Sequence, residues 1–563
     1  MKNQLDASMR QRPKGESWVW FSGMGLSLGL LMIFFLLVYI FWNGVTVFWP
    51  KPVAKVVLKA DAGVAFEGKK SFAGVVSKER AVASSMIRGN KDYSENVARE
   101  WQFFVGNKDA YGFMYRYIPS ESVASITYPE NIMIAERLSW GNSVFYPISL
   151  ESISGNIIHS GDPLFYETLQ QKIYEAEKRR EAFTRIERIE IGAINQKIES
   201  IRIKKRFMLN EFGQEAPKSS EWLEMERKKN SLEEAYQRLA SRAKLLRKQQ
   251  QDTILHYRLE TGETRNQIIG EIIYAIYPNQ LGFFDKMIFF IKHFIQFLTD
   301  DPREANTEGG IFPAIFGTFV MTVLMSVAVM PFGVCAAIYL REYAKQGFWV
   351  NAVRIAVNNM AGVPSIVYGV FGLGFFVYFV GSGVDQFFFS DRLPTPTYGT
   401  GGVMWASLTL ALMTVPVVIV ASEEALASVP RGMREASLAC GASKWQTVRS
   451  VVLPAAAPGI LTGLILAMAR GAGEVAPLMI VGVVKFAPSL PIDTIFPFFH
   501  LERKFMHLGF HIYDLGFQSP DSEAAKPMVF ATTFLLIFLV LVLNLLAIGI
   551  RDHLRRKYSS STF

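Results

Sequence analysis

A long stretch without a single charged side chain, Trp18–Trp42, is the feature that most constrains this chain. About 20 consecutive apolar residues suffice to cross the hydrocarbon layer of a membrane as a helix. The stretch is too long for the core of a signal peptide and has no small-residue cleavage site after it, which favours an uncleaved anchor. Only 19% of the 563 residues are charged, and they are concentrated in a few blocks. Further membrane spans are therefore expected.

Five more apolar runs follow, at Ile311–Leu340, Ile355–Val380, Gly401–Val420, Gly459–Val484 and Met528–Ile550. With the first run they predict a mainly α polytopic membrane protein with six transmembrane helices. Basic residues mark the tail 1–17, the connections after the second and fourth spans, and the tail 551–563. Basic loops stay in the cytoplasm. Six spans put all four basic segments on that side, which predicts an inner-membrane protein with both termini cytoplasmic.

Residues 43–310 form a large insert that this topology places outside the cytoplasm. Its first part, Val53–Ser160, has short apolar stretches separated by Gly, Pro and Asn, which predicts a small strand-containing domain. Leu164–Glu260 has helical periodicity around a break at Phe212–Ser220, which predicts a coiled-coil hairpin. A solvated spacer and a docking surface both fit such a hairpin. Leu281–Leu298 is apolar but interrupted by charges, which predicts a helix lying in the outer membrane interface.

The connection 425–455 carries the most specific motif of the chain. It contains Glu435-Ala436-Ser437, then Gly441, and after a longer interval Leu453-Pro454. Pro430 favours a helix start, and Gly441 permits a left-handed turn that ends a short helix over Met433–Leu438. A second short helix over Ala442–Val452 would be stopped by Pro454 before the next span. Such a compact element between two spans suits force transfer from a docked partner.

This segment resembles the EAA loop of ABC importer permeases, with Ser437 in place of the second alanine. The stretches Gly309–Thr322, Ala361–Leu373 and Ala469–Met479 resemble segments of the A-type permease of phosphate-specific importers. The resemblance covers most of Gly309–Phe563 and more weakly the first span. It implies an ABC permease core over 311–550, with the first transmembrane helix at 18–42. It also implies that the loop contacts an ATPase, through the motif residues Glu435, Ala436, Gly441, Leu453 and Pro454.

The same resemblance implies the partners of the chain. They are a second homologous permease subunit, an ATPase dimer that uses ATP and Mg²⁺, a periplasmic phosphate-binding protein, and inorganic phosphate as the substrate. This chain itself has no Walker sequence Gly-x4-Gly-Lys-Ser/Thr and no evident nucleophile–base constellation. We therefore expect a transport subunit that is not an enzyme and binds no cofactor of its own.

Arg470 and Glu474 are predicted in the middle of the fifth span, four residues apart on one helix face. An ionisable pair inside a membrane is a candidate functional site. A guanidinium can hold two phosphate oxygens at once, so Arg470 is the candidate phosphate contact, and Glu474 would hold Arg470 between transport steps. A salt bridge that only fixes helix packing is the alternative. Asn358, Asn359 and Tyr368 could line a polar path or make ordinary hydrogen bonds between helices.

Other function classes are less consistent with the sequence. The net charge of +9 is distributed beside the spans and in the hairpin, which does not suggest nucleic-acid binding, and no His or Cys cluster predicts a metal site. Sulfate and molybdate permeases would share the loop motif, so another oxyanion remains an alternative substrate. A membrane scaffold or signalling protein in phosphate sensing is the alternative from a different class, motivated by the long hairpin.

Overall fold

The computed structural model describes residues 17–59, 69–83, 97–153, 155–493, 496 and 498–559. The predicted tail 1–17 lies outside these residues except for Ser17. The predicted tail 551–563 is described as far as residue 559, where it continues the last helix. The prediction of a mainly helical protein with a strand-containing insert is confirmed.

Six helices in the described residues are long and apolar enough to cross a membrane, as the sequence predicts. They are span 1 Val19–Thr46, span 2 Phe312–Tyr343, span 3 Ser365–Phe388, span 4 Val403–Ser428, span 5 Lys444–Gly473 and span 6 Ser522–Arg556. Shorter helices occupy Lys108–Tyr111, Phe283–Thr299, Phe348–Met360, Arg431–Ala439, Ala476–Val481 and Leu508–Tyr513. The chain is thus a multi-pass membrane protein.

Spans 3 and 4 have different bounds from those predicted, and span 6 is longer than predicted by six residues at each end. The run Ile355–Val380 is divided, because Phe348–Met360 is a separate helix and span 3 begins only after Pro364. Proline disfavours helical geometry at the residue before it, so the chain turns there. Span 4 continues beyond the predicted Val420 to Ser428. Its charged last turns are tolerated because Glu423 accepts a 2.9 Å hydrogen bond from Nε of Arg354.

The fifth predicted span, Gly459–Val484, is the largest correction. The continuous helix begins earlier, at Lys444, and ends at Gly473. Glu474 is extended, and a short helix, Ala476–Val481, follows. Pro477 explains the break, because it has no amide hydrogen and its ring would clash with the carbonyl four residues earlier, at Gly473.

Span 4 lies at the centre of the membrane bundle. Gly333 of span 2 meets Val418, and Gly463 of span 5 meets Ala421, so closely that a Cβ atom at either glycine would lie 2.5 Å from a side-chain carbon. Small residues let membrane helices pack at short distance. Span 1 lies at the edge and packs on span 6 through edge-to-face contacts of Tyr39 with Phe530, at 5.6 Å between ring centroids.

The insert contains two antiparallel sheets and a two-stranded ribbon. The strands are β1 Ala54–Leu58, β2 Ser71–Ala83, β3 Val97–Phe104, β4 Tyr115–Pro119, β5 Val123–Thr127, β6 Met133–Arg137, β7 Asn142–Ser152, β8 Ile157–His159, β9 Thr253–Arg258, β10 Thr264–Ile268, β11 Ile272–Ile276, β12 Pro302–Arg303 and β13 Glu308–Gly309. The first sheet has the order β4-β3-β2-β1-β5, and the second has β10-β9-β7-β6-β11 with β8 beside β7. Phe72, Phe103, Phe145 and Tyr257 are buried in the core that the two sheets share.

The hairpin is a pair of long helices that we call the arm. Its outgoing side runs through Phe165–Arg185, a π-helical segment at Ile186–Ile191, and Gly192–Phe212, and Ser220–Gln249 returns. The turn between them coincides with the predicted break. The predicted end at Glu260 is wrong, because the chain leaves the arm at Gln249 and forms β9, which pairs with both β7 and β10.

The arm extends across one end of the membrane bundle. Near its base, Arg188 forms an ion pair with Asp301, just before span 2. Farther out, Nη1 of Arg206 donates a 3.2 Å hydrogen bond to the carbonyl of Leu393, between spans 3 and 4. The bundle end with the insert is therefore opposite the end where span 4 joins span 5.

Candidate functional site

The connection between spans 4 and 5 forms a short helix, Arg431–Ala439, which we call the loop helix. Pro430 precedes it in extended geometry, and Gly441 ends it with a positive φ of 85° that favours glycine. Glu435 and Ala436 on the helix, and Gly441 just after it, are exposed. These three motif residues are thus accessible, whereas Leu453 and Pro454 are half-buried.

The predicted stop at Pro454 does not occur. Ser443 and Gln446 form a capping box, in which the backbone N–H of Ser443 donates to Oε1 of Gln446 at 2.7 Å. The helix then runs without interruption from Lys444 to Gly473 as span 5. A π-helical turn at Val448–Val452 widens the helix just before Pro454 and so accommodates the proline ring. The loop is therefore joined to span 5 without a break in the helix.

Arg434 fastens the loop helix to two spans, a role that the sequence analysis did not assign. Its guanidinium donates 2.6 Å hydrogen bonds to the carbonyls of Leu426 and Val429 at the end of span 4. It also pairs with Glu342 at the end of span 2, at 3.0 Å. Both side chains are at most one fifth exposed, so solvent screens this pair only in part.

An apolar cluster lies beneath the loop helix. It joins Val334 and Ile338 of span 2, Leu426 of span 4, and Val448 and Val452 at the start of span 5. Met433 of the loop helix and Leu453 pack against it. Ser437 of the loop helix and Thr447 of span 5 also share a 2.9 Å hydrogen bond between their hydroxyl groups. Spans 2, 4 and 5 and the loop helix thus form one packed unit.

Arg470 and Glu474 lie at the broken end of span 5 rather than in the middle of a span. Nε of Arg470 is 3.9 Å from Oε1 of Glu474, which is a loose ion pair, and the two side chains are 37% and 24% exposed. Arg470 is in the last helical turn, and Glu474 is the first extended residue after it. The structure therefore leaves the guanidinium accessible.

The backbone around the pair is closely packed on one side only. A Cβ atom at Gly471 would lie 2.3 Å from the sulfur of Met325 in span 2, whereas Gly473 has open space beside it. On the other side of the break, Pro477 packs against Gly369 of span 3. The break is thus held between spans 2 and 3, and the space beside Gly473 is open.

Tyr368 and Asn358, the other candidates for a polar path, do not lie in one shared site. The Tyr368 hydroxyl donates a 2.7 Å hydrogen bond to the carbonyl of Met360 and ties span 3 to the helix before it. Asn358 lines a cavity of about 290 Å³ near Arg354 and Glu423, at the loop-helix end of the bundle. Within the described residues, no group of three His, Cys, Asp or Glu side chains could hold a metal ion.

Known proteins that are similar in sequence identify the family of this chain. Residues 329–560 match the family described as binding-protein-dependent transport system inner membrane component. The Bacillus subtilis "Probable ABC transporter permease protein YqgI" is 31% identical over 259 residues, which are 45% of this chain and 81% of YqgI. The chain belongs to this family. The permease also aligns with the "Phosphate transport system permease protein PstA" of Yersinia pestis, at 32% identity over 250 residues, 44% of the permease and 74% of PstA.

Other matches are shorter. "Probable ABC transporter permease protein YqgH" of Bacillus subtilis is 36% identical over 206 residues, and the alignment spans 36% of the permease and 62% of YqgH. A solved structure of the MetNI methionine ABC transporter is 20% identical, with a TM-score of 0.31, covering 43% of the permease and 94% of that chain. The family match includes the loop helix and the Arg470–Glu474 pair but not the insert.

Proposed function

We propose that this permease forms half of the path by which an ATP-driven importer moves inorganic phosphate across the inner membrane. The observation that carries the proposal is a half-exposed guanidinium at the broken end of span 5, in a chain that aligns with phosphate permeases. A second homologous permease would supply the other half. The alignment with PstA proteins favours phosphate over sulfate or molybdate, which remain the alternative.

The loop helix is the proposed contact for a separate ATPase dimer that binds ATP and Mg²⁺. Its exposed residues Glu435, Ala436 and Gly441 would meet the ATPase, and Arg434 would pass the resulting movement to spans 2 and 4. This assignment puts the loop helix and both termini in the cytoplasm. The insert is then periplasmic, on the side from which a phosphate-binding protein would deliver its ligand.

The pair at the break suits brief binding of an anion. A guanidinium makes two parallel hydrogen bonds to phosphate oxygens. Its bond to Glu474 is long, so phosphate can replace the carboxylate without losing a strong contact. When phosphate leaves, Glu474 pairs with Arg470 again. Because Glu474 competes with phosphate for Arg470, the affinity for phosphate stays low enough for release.

Phosphate uptake in cells that lack their own high-affinity system tests the proposal. We expect cells that express the permease with its partner subunits to accumulate radiolabelled phosphate. Excess unlabelled phosphate should abolish this uptake, and equal concentrations of sulfate or molybdate should not. Inhibition by sulfate or molybdate alone would reassign the substrate to that oxyanion.

Shortening the arm should leave uptake within about twofold of the wild-type rate, because exposed projections tolerate deletion when the base keeps its contacts. Deleting Leu164–Glu260 would also remove β9 from its sheet. Replacing residues 194–238 with a short Gly-Ser turn instead retains the base, where Arg247 pairs with Glu187 at 2.8 Å.

The matched control for this deletion is Arg206→Ala, which removes only the contact with Leu393. Equal membrane levels of all variants must be established by immunoblot. A deletion protein at normal level that no longer transports would show that the arm is a required docking surface rather than a spacer.

A further inference from the structure

A cavity of about 510 Å³ lies where the insert meets the membrane helices, and we call it the basal cleft. Tyr39 and Asn43 at the end of span 1, and Lys526 and Phe530 in the first turns of span 6, form part of its wall. The remaining wall comes from the sheets, the helix Phe283–Thr299 and the β12–β13 ribbon. Since two span ends border it, the cleft is located where hydrocarbon gives way to lipid headgroups.

The side of the cleft toward the spans is aromatic. Phe48, Trp49, Phe289, Phe297 and Phe530 line it. Phe48 is held against Phe297 with 5.0 Å between ring centroids. Packed aromatic rings give a large, fixed apolar surface. The helix Phe283–Thr299 also leaves Phe284 81% exposed, as expected for a helix that contacts lipid. This part of the cleft therefore suits acyl chains.

His293, which lines the cleft, has an unused hydrogen-bond acceptor. Its Nδ1 is 2.8 Å from the carbonyl oxygen of Phe289, which can only accept, so Nδ1 carries the proton. Burial lowers the pKa of His293 to about 4, so the ring is neutral at physiological pH. Nε2 then has a lone pair to offer, and it is buried without a hydrogen-bond partner.

Glu308 presents a second unused acceptor when its carboxyl group is ionised. Its Oε2 is buried without a hydrogen-bond partner, whereas the neighbouring Glu136 is paired with Arg303. Burial, with repulsion from Glu136, raises the pKa of Glu308 to about 8, and Arg303 opposes this shift. The charged and titratable groups that face Glu308 are Glu136, Arg303, Glu304, Arg137, Tyr115 and Tyr274.

Unused donors and positive charges lie in the same cavity. Nε of Arg303 is a buried donor without an acceptor. Lys51, Lys78 and Lys526 also line the cleft, and Lys526 is paired there with Glu523. A buried polar group without a hydrogen-bond partner costs free energy. Acceptors and donors that lack partners at one cavity therefore indicate a ligand that carries both donors and acceptors. The ligand must bring a hydrogen-bond donor for Glu308 and His293, an anionic group, and apolar chains.

We propose that the basal cleft binds a phospholipid whose headgroup carries a primary ammonium. The ammonium donates to Glu308 and His293, the phosphate faces Arg303 and the lysines, and the acyl chains lie on the aromatic side. The site is independent of phosphate transport, and it would anchor the insert to the membrane beside spans 1 and 6.

Native mass spectrometry of the purified complex, titrated with phosphatidylethanolamine or phosphatidylglycerol of identical chains, tests this site. At pH 8.5, where most of Glu308 is ionised, we expect phosphatidylethanolamine to bind at least tenfold more tightly. Glu308→Gln and His293→Phe should each remove that preference, and His293→Phe keeps an aromatic ring in place should the first variant fold poorly. Glu130→Gln, an exposed carboxylate away from the cleft, is the matched control and should bind like wild type.

The pH dependence separates the headgroup contact from acyl-chain binding. An ammonium needs the ionised form of Glu308, so affinity for phosphatidylethanolamine should rise about tenfold or more from pH 6.5 to pH 8.5, as the ionised fraction increases. Phosphatidylglycerol binding and the Glu308→Gln variant should not show this rise. Equal affinities for the two lipids, or no retained lipid and hence water alone in the cleft, would overturn the proposal.

Discussion

Arg470→Gln is expected to lower phosphate uptake by about 10- to 100-fold at unchanged membrane level. Hydrogen bonds to charged groups contribute about 1.5–3 kcal/mol, and the substituted amide retains neither the charge nor the planar fork. The helix should tolerate the change, because Arg470 is 37% exposed and its bond to Glu474 is long. Initial rates over a range of phosphate concentrations provide the measurement.

Arg470→Lys and Glu474→Gln are the matched variants. Lysine retains the charge but not the bidentate geometry, so we expect partial uptake. Glu474→Gln should leave Arg470 without its competitor, and phosphate should then saturate transport at a lower concentration while the maximal rate falls. A pair that only fixes helix packing would give the same loss for both neutral variants, with no change in the saturating concentration. Wild-type uptake by Arg470→Gln would remove Arg470 from the path.

Arg434→Gln is expected to uncouple the permease, lowering uptake at least about tenfold while ATP hydrolysis by the assembled complex continues. The variant loses the pair with Glu342 and two hydrogen bonds to carbonyls at the end of span 4. Leaving such partly buried groups without partners costs about 1–3 kcal/mol each. The loop helix can then move without moving spans 2 and 4.

The exposed Arg431, three residues earlier on the same helix, offers a matched control, and Arg431→Gln should transport normally. Glu342→Gln separates the two kinds of contact, because it removes the ion pair and leaves the carbonyl bonds in place. We expect it to reduce uptake less than Arg434→Gln does. Loss of ATP hydrolysis together with uptake in Arg434→Gln would instead mean that the complex fails to assemble.

The spans could be predicted from the sequence because long apolar runs have few other uses in a folded chain. The residues at which the spans end were harder to predict. Span 4 continues through Glu423 because Arg354 compensates the charge, and that partner is distant in sequence. Span 5 ends early because of Pro477. Pro454 would be expected to break the helix for the same reason, but a π-helical turn accommodates it.

The insert and the role of Arg434 show what local patterns omit. β9 lies between β7 and β10, although the whole arm separates it from β7 in sequence. Periodicity indicates a strand or a helix but not its distant neighbour. From the sequence alone, Arg434 is likewise indistinguishable from the other basic residues of the loop. Only the folded chain places it against the ends of spans 2 and 4.

ATP-driven accumulation of phosphate by the reconstituted complex tests the central claim most directly. Proteoliposomes would hold the permease, its homologous partner and the ATPase, with ligand-loaded phosphate-binding protein on the insert side and ATP on the loop-helix side. Radiolabelled phosphate should accumulate on the ATP side, only with ATP present, and Arg470→Gln should lower the rate about 10- to 100-fold. ATP hydrolysis without phosphate movement by the wild-type complex, or accumulation of sulfate or molybdate instead, would contradict the account.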